Sequence, residues 1–318
     1  ANLNTAVGDC ALQANTTASD NAAFGAYALR TNTTGSANTA VGKNSLLANT
    51  TAGSNTAVGY NSLSANTTGV NNTAVGQGAL QANTTANENT AFGMSALRLN
   101  TTGVFNTAVG LNAADANTTG QKHTAIGYAA LGAATTGEDN TALGYQSVVA
   151  ATTGSCNTGL GRSAGDNTTT GDNNISLGYA GRPSSATVSD EITLGNADNN
   201  NLRCADTSIS TLSDLRDKTN VEDIPHGLDY ILALRPVKFD WETRDGSRVG
   251  KKDYGFIAQE LDQVEETFGN KEYTRLVSKE NPDKWEADPM KTYPILIKAI
   301  QELNTKIAEL EAKINEWS

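Results

Sequence analysis

The 318-residue sequence predicts a parallel β-solenoid of twelve 17-residue coils, then a small α+β domain ending in a coiled-coil helix. Three observations predict it. A five-residue motif returns at a constant step of 17 through the first two thirds of the chain. Charge is sparse there and dense afterwards. The C-terminal stretch spaces its apolar residues by threes and fours, as a helical seam does.

The repeat is Asn-Thr-Ala-Val-Gly, which begins at Asn4 and returns at Asn38, Asn55, Asn72 and Asn106, with Phe for Val in the unit that starts at Asn89. The frame continues through Asn21, His123, Asn140, Asn157, Asn174 and Glu191, giving twelve units without an insertion. The fourth position is always apolar, from Val7 to Leu194, and the fifth is always Gly, from Gly8 to Gly195. Five residues after the apolar position most units carry Leu (Leu12, Leu29, Leu46, Leu63, Leu80, Leu97, Leu131). One unit cannot close a core around one or two apolar side chains, but stacked units can. Thr-Ala-Val supplies a short strand. Asn-Thr-Thr-Gly supplies the turn, because Asn accepts left-handed backbone and Gly supplies positive φ. The fourth-position residues and the leucines are therefore expected to be the buried ones. Twelve coils at ~4.8 Å each make a rod of roughly 55–60 Å. So thin a core predicts association of several chains.

Other readings of the repeats carry less weight. Asn-Thr-Thr matches a glycosylation acceptor at Asn15, Asn32, Asn49 and Asn66, yet a turn accounts for it better. The threonine rows could form an ice-binding hydroxyl array, although strand and turn preference explains them more simply. Cys10, Cys156 and Cys204 are too few and scattered for a disulfide framework or zinc site, and are expected to be buried thiols. His123 and His226 make no metal constellation. No carboxylate pair, phosphate loop or nucleophile–base pair recurs, so neither metal nor cofactor is expected, and the repeats read as a shaft or display surface.

Residues 1–212 hold 7 Lys and Arg with 12 Asp and Glu, and residues 213–318 hold 16 and 22, a fourfold rise in charge density. That step places a domain boundary, giving a fibre over 1–197, a linker over 198–212 and a second domain over 213–318. A net charge of −11 argues against nucleic acid as partner. No apolar run reaches the ~20 residues that span a bilayer, so no membrane insertion is expected. The start shows no signal peptide and no initiator Met, as expected of the C-terminal part of something longer.

In the second domain, Asp229 to Leu234 reads as a short helix that stops before Pro236. A strand follows, with Val237, Phe239 and Trp241 facing inward, then a charged hairpin over 243–252 turning at Asp245-Gly246. Tyr254 to Asp262 leads into a helix with Ile257, Leu261 and Val264 on one face, followed by a loop with Pro282 and Trp285. From Met290 the chain is helical, and Ile300, Leu303, Ile307, Leu310, Ile314 and Trp317 form a heptad seam within a coiled coil over 291–317. The seam alone does not select a trimer over a dimer, and packing against its own domain is the competing account.

Two resemblances add to this reading. The repeats resemble the Asn-Ser-x-Ala-Ile-Gly units of trimeric adhesin heads, which are β-rolls assembled as trimers. Residues 213–318 carry, in order, Ser213-Asp214-x-Arg216-x-Lys218-x-Asn220-Val221, Leu234-Arg-Pro-Val-Lys-Phe239, Tyr254-Gly-Phe-Ile-Ala-Gln-Glu260 and the terminal coiled coil. This set resembles the self-cleaving intramolecular chaperones at the C-termini of phage tail fibres and tailspikes. The resemblance implies a trimeric template that folds a β-fibre and then releases itself by a single-turnover serine–lysine reaction. Ser213 matches the nucleophile, Lys218 the general base and Ser213–Asp214 the bond cut. A serine becomes a useful nucleophile only when a neighbour takes its proton, and a lysine can do so only where burial lowers its pKa. Attack by Ser213 on its own carbonyl closes a strained four-membered ring. An acyl shift from Leu212 would cut before Ser213, and attack between chains would relax the geometry. The implied protein is a virion tail fibre assembled in the bacterial cytoplasm, a homotrimer whose shaft meets a host cell-surface glycan or protein receptor. A bacterial surface adhesin with the same processing module, or a fibre spacer that binds no receptor, is the alternative.

Overall fold

The computed structural model describes residues 3–199, 213–243, 249–269, 271–279 and 285–317. The stretch Leu202–Leu212, Cys204, the Asp245-Gly246 turn and Pro282 lie outside the described residues. The chain forms two compact units, residues 1–196 and 197–318.

The first unit is a solenoid of one parallel sheet with twelve three-residue strands in sequence order, from β1 (Thr5–Val7) to β12 (Ile192–Leu194). Each strand pairs with the next at an offset of 17, as Thr56 does with Thr73 and Val58 with Val75. The face turned into the core corrects the expectation from sequence. In a typical coil it is the third-position alanine that is buried: Ala40 is 0 % exposed, whereas Val41 beside it is 37 % exposed and faces outward. A three-residue strand can be phased either way, and a small residue fits the narrow interior against the next coil, alanine in most coils and Gly159 or Ser176 in two. The leucines are buried as expected, Leu29 through Leu97 and Leu131 completely. The apolar row Val7, Phe24, Val41, Phe92, Leu143, Leu160 and Leu194 lies open on the single chain.

Two ladders of buried asparagines fill the rest of the interior. Asn72 donates its backbone N–H to Asn55 Oδ1 at 2.9 Å and its Nδ2 to the Ala86 carbonyl at 2.8 Å. Its own Oδ1 accepts from the Asn89 N–H at 3.1 Å. The asparagines of the Asn-Thr-Thr turns form the second ladder: Asn66 Nδ2 donates to Asn49 Oδ1 at 3.0 Å and to the Gly69 carbonyl at 2.9 Å. Asn32, Asn49 and Asn66 are fully buried, which withholds them from glycosylation in the folded chain. In many coils the first threonine of the pair spends its hydroxyl on a carbonyl of the next coil, as Thr101 does on Thr118 at 2.9 Å.

Positive φ recurs at fixed places in each coil. Gly76, at φ +134°, leaves no room for a side chain, since a Cβ there would sit 2.4 Å from the Gly93 carbonyl oxygen. Non-glycine residues take the left-handed region too, as Asn61 (φ 57°), Leu63 (φ 49°) and Asn71 (φ 59°) do. Each such residue costs roughly 1–2 kcal/mol, which the stacked coils must offset. Cys10 and Cys156 occupy left-handed turn positions of this kind, Cys10 half-buried and Cys156 exposed, so the expected burial of these thiols is not observed.

His123 stands in the first ladder where other coils have Asn. It is buried, its N–H donates to Asn106 Oδ1 at 2.9 Å, and its Nδ1 accepts from the Asn140 N–H at 3.3 Å. Burial holds the ring's pKa below the ordinary 6.5. The unfolded chain therefore takes up a proton that the folded coil refuses, and stability is lost as pH falls below the unfolded value. The wild type should lose up to about 1.4 kcal/mol per pH unit in that window, and His123→Asn should lose less. Denaturant midpoints at pH 7.5 and 5.5 measure this, and equal acid losses in both proteins would refute it.

Among the described residues, the first element of the second unit is a one-turn 3-10 helix, Leu215–Asp217. It continues through α1 (Leu228–Ala233), the antiparallel pair β13 (Val237–Asp240) and β14 (Lys252–Gly255), α2 (Ala258–Phe268) and α3 (Lys271–Thr274). A two-residue pair follows, β15 (Val277–Ser278) with β16 (Glu286–Ala287), then a 3-10 turn (Pro289–Thr292) that runs into α4 (Tyr293–Trp317). Pro236 ends the first helical stretch, because the residue before a proline avoids helical backbone. Tyr230, Leu261, Leu276, Val277 and Ile295 form the core. Only the start of α4 joins it, through Ile295 and Ala299, while Glu302 Oε2 accepts the Leu228 N–H at 2.7 Å. Beyond that point the seam residues Ile300, Leu303, Ile307, Leu310, Ile314 and Trp317 are exposed. In the single chain the seam does not pack on its own domain.

Candidate active site

Ser213 and Lys218 lie at the two ends of the 3-10 turn. Five residues of extended chain would hold their Cα atoms roughly 17 Å apart. The turn folds the segment back through two backbone bonds, Asp217 N–H to the Asp214 carbonyl at 3.1 Å and Lys218 N–H to the Leu215 carbonyl at 3.2 Å. Asp214, not Ser213, caps it, with Oδ1 accepting the Arg216 N–H at 2.9 Å. Lys218 then leaves in extended conformation and its Nζ reaches Ser213 Oγ at 2.8 Å. Both side chains are exposed on the single chain. At that distance a neutral amine could accept the hydroxyl proton, whereas an ammonium donates to the oxygen and leaves it inert.

Asp214 adjoins the serine, on the far side of the bond predicted to be cut. Both its oxygens are engaged by Arg216, whose Nε lies 3.0 Å from Oδ1 and 3.1 Å from Oδ2, with Nη2 also on Oδ2. These hydrogen bonds from Arg216 hold the carboxyl below the usual carboxylate range. The sequence signal for this fork was Asp-x-Arg around a tight turn, which reads as surface charge until the turn is seen.

The remaining family-like segments lie together elsewhere in the second unit. Arg235 forms a forked ion pair with Glu260, joining the segment before β13 to the first turn of α2. Phe239 packs edge-on to Trp241, with ring centres 5.1 Å apart. Glu265, which sequence reasoning passed over, is fully buried and accepts the Leu276 N–H at 2.6 Å and the Thr274 hydroxyl at 2.5 Å. Its helical spacing from Leu261 was the available signal. No cluster of three metal-binding side chains occurs among the described residues, and no described helix is long and apolar enough to cross a membrane.

Residues 213–270 match the family model Peptidase_S74, described as chaperone of endosialidase. No curated protein and no solved structure matches the chain.

Proposed function

We propose that this chain, a tail-fibre-type protein whose solenoid is followed by a chaperone-of-endosialidase domain, is a homotrimer that folds its shaft on that domain and then cuts itself at Ser213–Asp214. The 2.8 Å contact between Lys218 Nζ and Ser213 Oγ carries the reading. The exposed seam of α4 and the outward apolar row of the solenoid support the trimer, since a lone chain rarely leaves so much contiguous apolar surface in water. The freed shaft then presents its surface to a glycan or protein on the host cell, as part of the virion.

In the reaction, neutral Lys218 takes the hydroxyl proton as Oγ attacks the carbonyl carbon of residue 213. A serine attacking its own carbonyl closes a four-membered ring, so attack on the equivalent bond of a neighbouring copy is favoured. The tetrahedral intermediate expels the Asp214 amine, which receives the proton from Lys218. Water hydrolyses the ester and restores the serine, so one water is consumed per bond. Assembly switches the step on by burying Lys218 and so favouring its neutral form.

Expression followed by a denaturing gel and intact mass tests this. Wild type should give fragments 1–213 and 214–318, while Ser213→Ala and Lys218→Ala stay full length. A trimeric wild type that stays whole, or a Ser213→Ala chain that still cleaves, would remove the assignment. A cut one residue earlier would replace attack on the Ser213 carbonyl by the acyl shift from Leu212.

A further inference from the structure

We propose that Arg216 is a positioning residue for the self-cleavage: by engaging Asp214 it keeps that carboxylate from holding Lys218 as an ammonium. The inference rests on the serine–lysine reading above. The segment contains two cations, Arg216 and Lys218, and two acids, Asp214 and Asp217. A base four residues beyond a free acid, brought back by a tight turn, would be expected to pair with it and keep its proton. The structure divides the partners otherwise. Asp214 gives both oxygens to the backbone and guanidinium of Arg216, and among the described residues Lys218 hydrogen-bonds through its Nζ to the Ser213 hydroxyl. Neither Asp217 nor Lys218 makes an ion pair among the described residues. Arg216 suits this role because its planar fork matches a carboxylate and stays charged at any working pH.

The fork also fixes shape. Asp214 is both cap of the turn and acceptor of the fork, so one pair of side chains sets the path by which the chain returns from Ser213 to Lys218. A shape role and a charge role separate in their pH dependence. Losing shape lowers the rate at every pH, whereas freeing the carboxylate moves the alkaline-rising limb of the rate profile.

The test uses the full chain, assembled at acidic pH where the lysine is protonated, then jumped to buffers between about pH 6 and 10, covering the range between a strongly lowered and an ordinary lysine pKa. Cleavage is followed on denaturing gels and trimer content on native ones. Arg216→Ala should move the limb to higher pH by about one unit, a roughly tenfold slower cut at a fixed pH on the limb. Arg216→Lys should recover part of the shift, and Asp214→Asn combined with Arg216→Ala should return the limb to its wild-type place, because the freed charge is gone. The inference is overturned if Arg216→Ala keeps the wild-type limb, or if the double variant stays shifted like the single. A Ser213→Ala chain run alongside separates the two readings: if it cleaves, the serine–lysine assignment falls, whereas if it stays whole and the Arg216 limb does not move, only the positioning role falls.

Discussion

A chain that ends at Ser213 should lose most of its soluble trimer, while the same residues released from the full-length protein should remain folded. The coils explain the difference. Every coil asks several residues to adopt left-handed backbone, as Leu63 and Asn71 do, before the neighbouring coil can offset the cost. The interior of each coil is mostly alanine and asparagine, so little apolar burial is gained until many coils stack. The coils also resemble one another so closely that neighbouring chains slipped by one coil would meet almost the same residues. Such mispairing is slow to correct, because parallel contacts between distant residues form late. The proposed trimeric template would fix which coil faces which, and would not be needed once the ladders have closed. Sedimentation and the soluble fraction of the two preparations measure this. Soluble trimer from the truncated gene, at the yield of the full-length one, would show that the shaft needs no template.

The second large effect is expected from Ile307→Asp, which should abolish assembly and cleavage together. Ile307 is 52 % exposed in the single chain, and α4 leaves its own domain after the first turns, so the monomer fold should tolerate the change. In a coiled coil the same position would carry a carboxylate from each chain into the seam. Burying an unpaired charge costs several kcal/mol, enough to dissolve a seam of this length. Ile307→Leu should assemble and cut as the wild type does. Size-exclusion chromatography with a denaturing gel reads both effects. Trimer that persists in Ile307→Asp would move the chain–chain contacts off this helix. Cleavage by a monomeric Ile307→Asp chain would show that the active site forms without assembly.

The period of 17 made the solenoid legible because it is strict and the motif contains an invariant glycine. Which face looked inward was not legible. Val41 drew attention as the larger apolar residue, yet the interior takes Ala40, and Val41 is free to meet another chain. The left-handed turns were hidden for a related reason. Leu63 and Val148 occupy them, although such side chains disfavour that backbone, and only the pull of a buried position holds them there. Around the proposed cut site the pair Ser213 and Lys218 could be named from the family resemblance, and the structure brings the two side chains together at 2.8 Å. The Asp214–Arg216 fork could not, because in sequence it is indistinguishable from ordinary surface charge. Glu265 escaped notice because buried carboxylates are rare and its two partners lie on a later segment.

The asparagine ladders impose a unit of length on the shaft. Asn72 serves the coil before it through its N–H and the coil after it through its Oδ1, so no coil can gain or lose one residue without breaking contacts on both sides. Such a molecule can be lengthened or shortened only by whole coils, each worth about 4.8 Å. Its reach is therefore counted in integers. Two genes differing by a duplicated coil would encode fibres of different span with the same strand, turn and seam, which makes this architecture a ruler whose graduations are written directly in the sequence.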